Sequence, residues 1–249
     1  MNIKTFLSLG LILTGLSSLT LSAAPEAGSL AEIDKHSDWT FTPDPNLPNV
    51  LILGDSISIG YTLQVRHLSK GKANVFRPMS SNGKRRVNCG GTIAGVKNID
   101  NWLAVVPRWD VIHFNWGLHD LKHVKKPGTS EKSNDPKDPT QATLEEYAAN
   151  LQVIVDKLKA TDAQLIFATT TPVVSGTLNP LRIPKTVVRY NEAAVKIMDA
   201  NEIPVNDLYG CMLPNLEKWQ LPRNCHFKPQ GSDELAKQVA KNIQAALGD

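Results

Sequence analysis

The chain has 249 residues and a formal charge of +3, with 41% hydrophobic and 20% charged side chains. These proportions belong to an ordinary globular protein and exclude disordered, collagen-like and membrane-embedded classes, and the length suits one sizeable core. So small a positive charge argues against nucleic-acid binding, and the three cysteines, Cys89, Cys211 and Cys225, contain no CxxC and no spacing suited to zinc.

Residues 1–24 read as a signal peptide: Lys4, then a largely apolar stretch from Phe6 to Leu21, then small residues at Ser22-Ala23-Ala24. The alternative, a membrane anchor, is disfavoured because the stretch is short for a span of roughly 20 residues and contains Ser and Thr. The expectation is a secreted or periplasmic protein with no stable membrane anchor after cleavage. In that oxidising setting one disulfide with one spare thiol is expected, with Cys211 and Cys225 as the pair. Residues 25–47, punctuated by Pro25, Pro43 and Pro45, read as an extended lead-in packed loosely on a body formed by 48–249.

The body opens with the apolar run Asn49 to Gly54, the pattern of a strand buried on both faces of a parallel sheet. Helical spacing follows over Ser58 to Ser69. Further β-branched, apolar runs at Asn74 to Phe76, Asp110 to Trp116, Gln164 to Thr170 and Ile203 to Leu208 alternate with helical spacing at Thr92 to Val105, Thr143 to Leu158, Thr186 to Asn201 and Gly231 to Leu247. Such alternation predicts a parallel sheet of about five strands covered by helices, with ligands bound beyond the carboxyl ends of the strands. The polar stretch Lys122 to Thr140 is long for a connection and reads as a mobile loop, either a bare insertion or a segment that touches substrate.

Asp55-Ser56 stands where the first strand breaks into a helix. Either residue suits an N-cap, but a serine there also exposes its hydroxyl beside helix N–H groups. His226 stands in the turn-rich segment Asn224 to Gly231 before the last helix, where it can return to that strand end. Neutral imidazole is the base a serine hydroxyl needs at neutral pH. Donors for an oxyanion are available in Asn88-Cys89-Gly90-Gly91 and in Asn115-Trp116-Gly117-Leu118-His119-Asp120.

Gly54-Asp55-Ser56-Ile57, Gly90 before a helix, Gly117-Leu118-His119-Asp120 after a strand and His226-Phe227 before the last helix fall in the order of the sequence blocks of GDSL/SGNH hydrolases, which residues 48–249 resemble. The resemblance implies a flavodoxin-like three-layer α/β/α sandwich. It makes Ser56 the nucleophile and first oxyanion donor, Gly90 the second donor and His226 the base. His119 stands where the family usually has asparagine. Its imidazole can donate if Asp120 or the following loop fixes its tautomer, with Asn115 as the alternative donor. The family's acid before the histidine is missing, since Arg223 and Asn224 occupy those positions. A main-chain carbonyl, Asn224 or Asp207 is left to orient His226.

The function expected is hydrolysis of short acyl or O-acetyl carbohydrate esters, with no metal or organic cofactor. Acyl transfer to a sugar and a weakly active glycan-binding domain are the alternatives. Lys84-Arg85-Arg86 is either an acidic-group contact or a solvated surface run, and Trp109 and Trp116 either stack on a sugar or pack the core.

Overall fold

In a computed structural model, residues 39–127, 129–176 and 178–248 are described. The predicted signal peptide and the start of the lead-in lie outside them. Five strands, β1 (Asn49–Leu53), β2 (Asn74–Phe76), β3 (Val111–Phe114), β4 (Gln164–Ala168) and β5 (Val205–Asn206), form one sheet in the order β2-β1-β3-β4-β5. Every pairing is parallel, with Leu51 opposite both Phe76 and Ile112. Val50 to Leu53 and Val111 to Phe114 are buried along their whole length, as expected where helices cover both faces.

The first helix, α1 (Ser56–Leu68), packs against the last, α7 (Pro229–Leu247), while α2 (Thr92–Leu103), α3 (Leu144–Lys159) and α4 (Pro184–Ala200) pack in succession. This is the flavodoxin-like three-layer sandwich. Its strand order reverses between β1 and β3, and a crevice opens there at their carboxyl ends. Thr143 and Glu146 close α3 with a reciprocal capping box.

The strands are shorter than the apolar runs. Asp110 and Asn115 flank β3: Asp110 Oδ2 accepts the Asn49 N–H, and the Asn115 side chain donates to the Ala168 carbonyl. The last strand stops at Asn206 because Asp207 turns to cap a short helix, α5 (Leu208–Met212). That helix and α6 (Leu216–Trp219) are too short to leave a helical period in the sequence.

Residues 42–46 are exposed, and the lead-in is tied to the body at a few points. Phe41 meets Phe76 at 5.0 Å between ring centroids, Arg66 lies over the Phe41 ring, and Asn74 holds Asp44 and Leu47 through side-chain hydrogen bonds, closing the edge at β2. The expected disulfide is also absent: Cys211 and Cys225 are both free. Cys211 lies on α5 in the field of Glu234 and Asp207, whereas Cys225 lies beside the His226 ring. Trp109 and Trp116 are core residues, the first donating to the Leu103 carbonyl and the second stacked on Trp102. Among the described residues no helix is long and apolar enough to cross a membrane.

Candidate active site

Asp55, not Ser56, caps α1: its carboxylate accepts the Ile57 N–H at 2.8 Å. Ser56 is thereby left as the first helical residue with its hydroxyl uncommitted to the helix. Its own N–H is one of those that the helix leaves without an internal partner. The strand end is clamped from the side by Arg77, which is buried with no ion pair among the described residues. Arg77 donates to the Gly54 and Val87 carbonyls and to the Ser58 and Thr62 hydroxyls, and so fastens the β1 turn to the segment leading into Gly90. The Cys89 N–H adds a bond to the Gly54 carbonyl. Burial pushes the Cys89 thiol up to about 11, so it remains a protonated core group.

His226 reaches this strand end from a tight turn. Gln220 and Phe227 form an antiparallel bridge, Leu221 N–H donates to the His226 carbonyl, and Arg223 takes a left-handed conformation at the turn. The buried Gln220 side chain bonds the Pro172 and Cys225 carbonyls and accepts the Val174 N–H, tying the turn to the segment after β4. The ring then lies with Nε2 2.7 Å from Ser56 Oγ and Nδ1 2.7 Å from Asn224 Oδ1.

Asn224 fixes the tautomer. Its Oδ1 also accepts the backbone N–H of His226 at 3.0 Å, so that atom must be an acceptor. Nδ1 therefore carries the proton it shares with Oδ1, and Nε2 is left to accept from the serine hydroxyl. Of the three possible orienting groups, Asn224 is the one in contact. Asp207 is engaged elsewhere, with the Gly210 N–H and the Thr169 hydroxyl. Burial lowers the His226 pKa below its ordinary 6.5; Asp55 opposes the shift and Arg182 adds to it. The ring is neutral at pH 7, the form a base requires.

His119 and Ser56 line the same cavity of about 390 Å³ with His226, while Asn115 faces a separate small recess beside Asp55 and Ser58. Asn115 is occupied by the Ala168 carbonyl and is not brought to the serine. Gly117 has φ +150°, and a Cβ there would collide with Thr170 Oγ1, so glycine is required where the chain turns to present His119. Burial pushes His119 down to about 4, with smaller contributions from Asp55, which opposes the shift, and from Lys122, Arg182 and His226. It too is neutral. Asp120 does not fix its tautomer: the Asp120 carboxylate accepts both the N–H and the hydroxyl of Thr92, at 2.8 and 2.6 Å, and so holds the start of α2.

Gly90 adopts φ +66°, the left-handed region, and its N–H donates to Asn88 Oδ1 at 2.9 Å. An oxyanion would have to share or displace that bond. On the far side of His226 a second groove of about 300 Å³ carries Trp39, Leu63, Arg86 and Phe227. Of the exposed Lys84-Arg85-Arg86 run, Arg86 lines this second groove, with its guanidinium over Trp39.

The sequence did not single out Arg77 or Arg182, and it named Asn88, Lys122 and Lys132 only as members of longer segments. The described residues of the Lys122 to Thr140 segment are hydrogen-bonded among themselves and to Leu181. Val124 bridges Lys132, Asp138 binds Lys125 and the Ser133 hydroxyl, and His123 N–H and Ser133 O pair with Leu181. Lys122 and Lys132 both line the serine cavity.

A flavodoxin-like sheet with a serine and a histidine in hydrogen-bond contact at its switch point has the layout of an acyl hydrolase. The chain belongs to the GDSL-like Lipase/Acylhydrolase family, whose sequence model matches residues 52–233, and it is a hydrolase of ester bonds in that sense. Among solved structures it is similar in fold to the lipase/acylhydrolase from Enterococcus faecalis, with TM-score 0.61 and 17% identity over 80% of this chain and 96% of that one. It is also similar to the acetyl xylan esterase AlAXEase, with TM-score 0.60 and 14% identity over 78% and 99% of the two chains. For Axe2, an acetylxylan esterase from Geobacillus stearothermophilus, the values are TM-score 0.60 and 16% identity over 79% and 94%. A search of curated protein sequences gave no match.

Proposed function

We propose that this protein is a secreted serine esterase that hydrolyses short acyl esters, O-acetyl groups on carbohydrate among them, through an acyl-Ser56 intermediate. The observation that carries this reading is the 2.7 Å contact between Ser56 Oγ and His226 Nε2, with the other ring nitrogen held by Asn224. Ser56 Oγ attacks the acyl carbon as its proton passes to His226 Nε2. The imidazolium then gives that proton to the departing alkoxide, and a water activated by the same nitrogen releases the acid.

The negative charge on the acyl oxygen rests on the Ser56 N–H at the start of α1 and on a ring N–H of His119, with the Gly90 N–H joining when it leaves Asn88. Asn224 orients the base without adding the negative charge that a carboxylate would, so the imidazolium is stabilised less than in a serine-histidine-aspartate site. Asp55 is the carboxylate whose field partly makes up for this. The carbohydrate part rests on the acetyl xylan esterases among the structural relatives, and secretion rests on residues 1–24.

Hydrolysis of 4-nitrophenyl acetate by the wild-type chain, and its loss in Ser56→Ala, is the expected result. Full activity in Ser56→Ala would overturn the mechanism. Edman sequencing of exported protein should begin near residue 25, and retention of Met1 would contradict secretion by this route.

A further inference from the structure

The cavity beside Ser56 is unusual in its charge. Its lining includes Lys122, Lys132, Arg182 and Arg223 along with the two imidazoles, and no aspartate or glutamate. Lys132 and Arg223 are exposed at its rim, but Lys122 and Arg182 are only 7% and 6% exposed. Arg182 is held by main-chain carbonyls, Nε on Leu118 and Nη1 on Pro180. Its Nη2 has no partner among the described residues, and neither does Lys122 Nζ. None of the ion pairs among the described residues involves any of these four cations. The carboxylates whose fields reach His119, His226 and Lys122, those of Asp55 and Asp120, are hydrogen-bonded to the N-termini of α1 and α2.

Burying an ammonium without a counter-charge is costly, and so is leaving a guanidinium edge unpaired in a concave, half-desolvated wall. Burial first, and Arg182 next, draw the Lys122 ammonium below the usual lysine range, with the field of Asp120 opposing them. An oxyanion in the cavity, carboxylate or sulfate, would meet the free edge of Arg182 and the point charge of Lys122 together. Four like charges around one mouth would also raise the local concentration of anionic ligand.

We propose that this cavity is an anion subsite and that the ester it takes carries a carboxylate or sulfate group on its alcohol portion. The alcohol is assigned to this side because His226, which must protonate the departing alkoxide, forms one wall of the cavity beside Arg223. At about 390 Å³ the cavity falls within the size range of small-molecule sites and exceeds what an acetyl group needs. The substrates are then esters of acidic alcohols, such as acylated uronic or sulfated sugars. This assignment rests on the esterase reading.

The test uses the full Ser56→Ala chain and three probes of one shape: 4-acetoxybenzoate, 4-acetoxybenzenesulfonate and neutral 4-acetoxybenzamide. By calorimetry at low salt, at least one anionic probe is expected to bind about tenfold or more tighter than the amide. The tighter of the two anions identifies carboxylate or sulfate. Lys122→Met should shrink this advantage to within about threefold. Lys132→Ala combined with Arg223→Asn, both at exposed positions, should cut it severalfold if the buried variant does not fold. Equal binding of all three probes, or an advantage that survives these substitutions, overturns the subsite. Wild-type turnover of the same probes separates the two claims. Anion preference without turnover would overturn the esterase reading alone, and turnover without preference would overturn the subsite alone.

Discussion

Ser56 and His226 are held by hydrogen bonds at every step, from Asp55 and Arg77 beneath the serine to Gln220 and Asn224 around the imidazole. The opposite wall, from His119 through Lys122 to Arg182, holds its polar groups by packing and by main-chain carbonyls, and leaves their outward atoms unpaired. A reacting pair must be correctly placed before substrate arrives, because small displacements cost rate directly. A wall that recognises charge keeps its bonding capacity for the ligand. On the proposed function, the contrast divides the cleft into a half that reacts and a half that receives.

The largest effect should come from breaking the first half. Ser56→Ala and His226→Ala should each lower kcat by roughly 10⁴-fold or more, and the double variant should be hardly worse than either, because the two act as a unit. Steady-state kinetics on an aryl acetate reads this directly. Additive losses would contradict it.

On the receiving wall, His119→Ala should cost about 10²- to 10³-fold in kcat, the range for one oxyanion donor, with little change in KM. His119→Asn keeps a side-chain N–H donor and should recover part of the loss. Failure of asparagine to do better than alanine would remove His119 from the oxyanion role.

Asn224 allows a finer cut. Asn224→Ala should lower kcat by about 10²-fold through a misplaced ring. The wild-type pH profile of kcat/KM should rise with its midpoint below 6.5, because burial lowers the His226 pKa and the base works only when neutral. Asn224→Asp places a negative charge against Nδ1 and should move that midpoint up by about one unit or more. An unmoved midpoint would mean that Asn224 does not face the base.

The smallest effect concerns stability. Burial raises the Asp120 pKa to about 6, although both Thr92 bonds pull it down. Its folded pKa lies above its unfolded value, so the folded protein holds the extra proton between about pH 4 and 6, and this group's contribution to stability falls as pH rises through that window. Asp120→Asn keeps an acceptor for Thr92 and has no charge to bury, so it should lose that pH dependence. Thermal melts of the two proteins from pH 4 to 7 should converge at the acid end and diverge, in favour of the variant, at the neutral end.

The reacting half of the cleft was largely legible in the sequence, and the receiving half was not. Ser56 is marked by the apolar run that ends one turn before it, and His226 by the turn residues that precede a strongly amphipathic final helix. Asn224 could be named only as one of three candidates, because one dimension does not distinguish a neighbour that folds back from Asp207 at a strand end. Asp207 fails because the chain after β5 turns straight into a helix that needs a cap. Lys122, Lys132, Arg182 and Arg223 are spread over about a hundred residues, and each looks like a surface charge. The pairing of the 122–140 segment with Leu181 and the turn from Gln220 to Phe227 gather them. Arg77 resembles any surface arginine until the sheet closes over it, and the unbridged cysteines show that a count of thiols carries no geometry.

The central claim is that Ser56 is the nucleophile and His226 its base. Incubation with a fluorophosphonate followed by peptide mass spectrometry tests it most directly. One adduct on the peptide carrying Ser56, absent from Ser56→Ala and formed far more slowly in His226→Ala, is the result expected. An adduct on any other residue, or labelling of Ser56 at an unchanged rate without His226, would contradict it.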